Sequence, residues 1–153
     1  MIEEKIKELT GYELPAAAKP LAAYVPARIA GNMIFTAGQL PTIDGKLIAE
    51  GKVDAEVTVE KAAECARIAA LNCLSVIKAE IGSLEKIKKI VKLTVFVNSS
   101  DNFTGQPKVA NGASDFLINL FGDKGKHARS AVGVNELPIN APVEIEMIAE
   151  ISE

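Results

Sequence analysis

The stretch HARSAVGVNELP, residues 127–138, places a scarce cation at the mouth of an apolar run. The chain has 14 lysines but only three arginines, and Arg129 is one of the three, two residues after the only histidine, His127. A guanidinium is permanently charged and offers its donors as a planar fork. It can therefore grip a carboxylate through two parallel hydrogen bonds, where an ammonium gives a point charge without orientation. The residue type alone leaves two uses open: an anchor for a small carboxylate, or an ion pair between subunits. A second set of charged groups lies in VEIEMIAEI, residues 143–151. There Val143, Ile145, Met147, Ala149 and Ile151 alternate with Glu144, Glu146, Ile148 and Glu150. That period of two is a strand's, and it puts the three glutamates on one face without choosing among them. The two thiols, Cys65 and Cys73, are eight positions apart in one helical pattern, about 12 Å of rise and too far to pair. With no CxxC and no Cys/His cluster they read as small buried apolar groups, and no metal site is expected.

These groups need a scaffold. The chain has 153 residues, 48% of them hydrophobic and 24% charged, an ordinary globular balance for one domain, 1–153, around one core. Net charge is −3 and aromatics are 5%, so neither a basic footprint nor stacking platforms for nucleic acid are present in bulk. The one basic cluster, Lys86, Lys88, Lys89 and Lys92, reads as a solvated strand edge that discourages sheet-to-sheet pairing. No basic stretch precedes an apolar one at the N-terminus, and no run approaches the roughly 20 apolar residues of a membrane span. A cytosolic protein with no membrane partner is expected.

The elements follow from punctuation and period. Residues 2–10 form a short helix stopped by Gly11, the helical part of an N-terminal extension over 1–12. The prolines of 13–26 call for an extended path. Gly31-Asn32 and Asp44-Gly45 each mark a tight hairpin. From Val59 the period becomes helical, through Ala62, Ala66, Ala70, Cys73, Leu74, Ile77 and Ile81, with Thr58 as cap and Gly82 as stop. The alanine-rich stripe lets this helix lie close on a sheet. Residues 90–97 are β-branched and read as a strand. A second helix spans 105–122, weakened by Gly112 and ended by Gly122, and strands over 129–134 and 143–151 close the chain. The fold class is α+β: a mixed sheet of about six strands with two main helices on one face. Either parity of 90–97 leaves apolar side chains on the second face, which self-association would cover.

Three blocks in order carry a family resemblance: AYVPARIAGNMIFTAGQLP (23–41), VKLTVFV (91–97) and ARSAVGVNELPINAPVEIEMIAEI (128–151). On these the chain resembles the YjgF/RidA family of reactive intermediate deaminases, also labelled L-PSP endoribonucleases, as a side branch with a longer N-terminus. The resemblance implies the chorismate-mutase-like fold, a homotrimer with clefts between subunits, and hydrolysis of enamine and imine intermediates such as 2-aminoacrylate and 2-iminopropanoate. The products would be a 2-keto acid and ammonia, with no cofactor and no metal.

The same resemblance implies roles residue by residue. Arg129 would hold the substrate carboxylate. Glu144 would position or activate the water that attacks the C=N carbon. Tyr24 would close the cleft, Asn111 would offer a donor across the subunit boundary, and the Gly38 backbone would line the cleft. His127 stands where the family often has proline, and would be a second polar group at the cleft mouth or a base sensitive to pH. Two common family side chains are missing: alanine replaces a serine at Ala37 and a cysteine at Ala131. Two other readings stay open, a small-carboxylate-binding trimer without turnover and an RNA-directed ribonuclease or translation inhibitor.

Overall fold

A computed structural model describes residues 1–20 and 22–153 of the chain. Leu21, inside the stretch expected to be extended, lies outside the described residues, and 13–20 form neither helix nor strand. The first helix, α1 (Ile2–Thr10), ends at Gly11 in the left-handed conformation. Its Ile6 is fully buried and its Glu3 meets Lys78 at 3.1 Å. The extension therefore docks on the helical layer.

Two short hairpins follow. Strands β1 (Ala27–Ala30) and β2 (Met33–Thr36) pair antiparallel across Gly31-Asn32, where Gly31 takes a φ of 60°. Strands β3 (Thr42–Ile43) and β4 (Lys46–Leu47) pair across Asp44 and Gly45, both at positive φ. The expectation of about six strands in one sheet resolves into two sheets. The main one has five strands, and β3 with β4 forms a separate two-stranded one.

The helix α2 (Val59–Ile81) starts and stops where its sequence dictates: the Thr58 side chain accepts from the Lys61 N–H, and Gly82 closes it at a φ of 88°. Its buried residues run almost all round, from Ala62 to Ile77, because the sheet covers one side while α3 (Gln106–Phe121) crowds the other. Close crossing is what the small residues permit. A Cβ on Gly112 of α3 would sit 1.9 Å from the Ala63 carbonyl oxygen of α2. The glycine that weakens α3 as an isolated helix is thus the residue that lets it pack.

The main sheet runs β1-β2-β7-β5-β6, with β5 (Ile87–Asn98), β6 (Ala128–Val134) and β7 (Val143–Ile151). The β5–β6 pair is parallel and the other pairs are antiparallel, so the sheet is mixed. Leu93, Val95 and Val97 of β5 and Val143, Ile145, Met147 and Ala149 of β7 are buried beneath the helices. Each such aliphatic side chain contributes about 2 kcal/mol of burial. Lys88 and Lys89 lie on β5 before its pairing with β6 begins at Lys92, so one side of this segment is free, as expected for an edge. Both reach Glu150, at 3.7 and 3.2 Å. The other face of the sheet carries the alternate residues. Phe35 lies opposite Ile148, and Phe96 lies between Glu144 and Val132. Phe35 and Val132 remain 40% and 43% exposed, so the second face is apolar and open within one chain.

Candidate functional site

Arg129 pairs in register with Leu93, whose side chain is fully buried under the helices. Strand alternation therefore turns Arg129 toward α3. There Nη1 donates to Asn111 Oδ1 at 2.8 Å and to Ser114 Oγ at 3.1 Å, and Nη2 donates to the Pro107 carbonyl at 3.3 Å. Pro107, Asn111 and Ser114 succeed one another at helical spacing along one side of α3, so a single helix face supplies three acceptors. A guanidinium has five N–H groups. These three bonds use both protons of Nη1 and one of Nη2. Among the described residues, Nε and the remaining Nη2 proton have no acceptor, and this is the number needed for a two-point grip on a carboxylate.

His127 joins the same cluster. Its Nδ1 lies 2.6 Å from the Gly125 carbonyl and its Nε2 lies 2.9 Å from Ser114 Oγ. Both ring nitrogens are thus engaged inside the protein. Ser114 was not singled out by the sequence. The available signal was its place three residues after Asn111, which puts both on one face of α3.

A second cluster forms around Glu144. It is half-buried on β7 and pairs with Phe96, so it points to the open face. Gly38 lies two residues past the end of β2, and a Cβ there would lie 2.7 Å from Glu144 Cδ and 2.8 Å from Oε2. Gly38 is the space in which the carboxylate rests. Burial, and then the neighbouring charge of Glu146, raise the Glu144 carboxyl above its ordinary range. Tyr24 is 51% exposed, two residues before Pro26. The Ala37 N–H donates to the Pro26 carbonyl at 2.8 Å, which ties the Tyr24 segment to the stretch after β2 that holds Gly38.

The sequence-predicted residues therefore fall into two groups. Arg129, Asn111 and His127 gather with Ser114 and Pro107 on the helix side of β6. Glu144 and Gly38, with Tyr24 nearby, gather at the other parity of the sheet. One chain does not bring the arginine and the glutamate to a common point. Ala131, on the same strand face as Arg129, packs against the core. The thiols are removed from chemistry: burial pushes Cys65 up to about 11 and Cys73 up to about 12. Among the described residues no group of three or more His, Cys, Asp or Glu is placed to hold a metal ion, and no helix is long and apolar enough to cross a membrane. A hollow of about 610 Å³, lined by Ile29, Asn32, Glu80, Lys86 and Ile151 among others, includes none of the predicted residues.

The helical layer on a mixed five-stranded sheet is the YjgF type of α+β fold. Residues 4–151 match the model of the family described as "YjgF/chorismate_mutase-like, putative endoribonuclease", and the chain belongs to this YjgF/RidA family. The match takes in most of α1. Among its relatives, protein TCP17 of Trypanosoma cruzi is 44% identical over 143 residues, 93% of this chain and 89% of that one. A 2-iminobutanoate/2-iminopropanoate deaminase of Dermatophagoides farinae is 31% identical over 138 residues, 90% and 92% of the two chains. The crystal structure of Agrobacterium tumefaciens protein Atu1372, of unknown function, superposes with a TM-score of 0.93 at 44% identity, covering 99% of this chain and 92% of that one.

Proposed function

We propose that this chain is a single-domain, cytosolic homotrimeric deaminase that hydrolyses small 2-imino acids, and the enamines that tautomerise to them, to 2-keto acids and ammonia without a cofactor. The observation that carries the reading is the state of Arg129: three acceptors fix its plane, and two donors are left for a carboxylate. The deaminase of Dermatophagoides farinae supports the reaction class.

In this reading the substrate carboxylate lies on the free edge of Arg129. Asn111 spends its oxygen on Arg129, which leaves its amide N–H groups to donate to the ligand. Glu144, Gly38 and Tyr24 come from a neighbouring copy and complete the cleft, with His127 behind Arg129 on its side of the cleft. Glu144 takes a proton from water as the water oxygen bonds to the C=N carbon. The electron pair of the C=N bond moves to nitrogen, which gains a proton. As the carbinolamine collapses, its hydroxyl proton passes by way of Glu144 to nitrogen, the C–N pair leaves with that nitrogen as ammonia, and the O–H pair closes the keto C=O. A carboxyl raised by burial gives and takes a proton closer to neutrality than an ordinary one.

The test generates 2-imino acids with an amino-acid oxidase and follows their removal by semicarbazide trapping, for wild type and Arg129→Ala. Faster clearance by wild type, lost in a folded Arg129→Ala variant, is the expected result. No acceleration by a well-folded wild type with any imino acid refutes the enzyme and leaves a carboxylate-binding role. Salt-sensitive RNA binding that ignores Arg129 would move the reading to the RNA-directed class.

A further inference from the structure

The bonds around Ser114 run in one direction. The Gly125 carbonyl can only accept, so the His127 proton sits on Nδ1. In that tautomer Nε2 carries a lone pair, and the Ser114 hydroxyl donates to it. With its proton committed to the ring, the Ser114 oxygen faces Arg129 Nη1 as an acceptor. The backbone of Gly125 thus sets the tautomer, the tautomer sets the hydroxyl rotor, and the rotor sets one of the two bonds that stop Nη1 from turning. Ser114 is only 8% exposed, so water does not readily replace a lost member of the chain.

We infer that Ser114 and His127 are positioning residues that lock the Arg129 guanidinium in the orientation required for a two-point grip on a substrate carboxylate. The inference rests on Arg129 being the carboxylate anchor. It gives His127 a role behind the arginine, with no contact to the ligand. It also ties Ser114, one of the three acceptors around Arg129, to the ring that sets its hydroxyl. An unlocked arginine still attracts an anion. What it loses is the alignment of Nε and Nη2 with the carboxylate plane, so the ligand is held less often in the reactive pose.

The test uses the full-length protein and two readouts that do not require turnover. The first is the 15N-resolved Nη–H signals of Arg129 in the free protein, visible when rotation about the Cζ–Nη1 bond is frozen. The second is calorimetric affinity for 2-oxobutanoate. In wild type the Nη1 signals are resolved. In His127→Leu and Ser114→Ala they collapse, and affinity falls about tenfold, the worth of one hydrogen bond to a charged group. His127→Gln places an amide oxygen near the position of Nε2, and restores both the signals and most of the affinity. A purely structural role would lower the melting temperature of His127→Leu while leaving the affinity of the folded fraction unchanged. That result, or resolved Nη1 signals in both Ser114→Ala and His127→Leu, overturns the inference and leaves the deaminase reading standing. Should His127→Leu fail to fold, Ser114→Ala, which keeps a helix-forming residue within α3, carries the test alone. Wild type that does not bind 2-oxobutanoate removes the anchor, and this inference with it.

Discussion

Substituting Gly38 by alanine separates the proposed base from its surroundings with little harm to the fold. The backbone at Gly38 does not require glycine, since its φ lies outside the positive range. What glycine supplies is room. The added Cβ would stand 2.7 Å from Glu144 Cδ, where ordinary contact begins at 3.4 Å. The carboxylate must therefore retreat by about 0.7 Å or swing away. It can do so because it is the far end of a flexible, half-buried side chain, so strand β7 stays in place. Alanine also restricts the unfolded chain, which offsets part of the strain by about 0.4–1 kcal/mol. The melting temperature should move by no more than about 4 °C. The catalytic effect should be much larger, since misplacing a reacting group by about 1 Å costs on the order of 100-fold in rate. Because Arg129 faces the other way, KM should change little. The assay is the semicarbazide competition run at several imino-acid concentrations, beside a thermal melt followed by circular dichroism. A folded Gly38→Ala protein with wild-type kcat would refute the assignment of Glu144 to the reacting water. A melting temperature lowered by 10 °C or more would show that Gly38 is needed for packing instead.

Gly112→Ala should behave oppositely. Its Cβ meets the Ala63 carbonyl oxygen, a backbone atom, at 1.9 Å, so α2 and α3 must separate, at a cost of about 1–3 kcal/mol or more; an unchanged melt would contradict this crossing. For Glu144 the sign of the pH effect follows from its raised carboxyl. The native state holds that proton more tightly than the unfolded chain does, so ionisation costs stability as pH climbs from the ordinary value of 4.5 through the raised one. Glu144→Gln should therefore melt higher than wild type at pH 7, with the difference fading below pH 4.5. In wild type the acidic limb of the rate profile should lie above the ordinary carboxylate range. A limb at the ordinary position would show that Glu144 is not the titrating base.

Local signals were legible wherever one residue type decides a backbone event. Thr58 and Gly82 bound α2, Asp44-Gly45 turns β3 into β4, and the alternation of 143–151 gives β7 its two faces. What the sequence hid depends on contacts between distant segments. The period of α2 shows a stripe, yet the helix is buried on nearly every side, because α3 covers what would otherwise be its solvent face. Gly112 reads as a weakness along one helix and becomes the contact point between two. The pairing of Gly38 with Glu144 joins positions more than 100 residues apart, and Ser114 becomes visible only once Arg129 is seen to reach α3. Residue types mark a candidate donor or acceptor. They do not say that its partner will be the arginine rather than the ligand.

The division of the site follows from the sheet itself. Arg129 and Glu144 lie on strands separated by β5, at opposite parity, and no side-chain rotation carries either through a packed sheet. A chain built this way can serve both residues to one ligand only if a second copy brings its glutamate face to the arginine of the first. The same chain leaves Phe35 and Val132 exposed on the glutamate face, a patch that association would bury. On the proposed reading these are one feature. The apolar residues drive the assembly, the assembly joins the two half-sites, and a chain kept monomeric should lose turnover while keeping every hydrogen bond that holds Arg129.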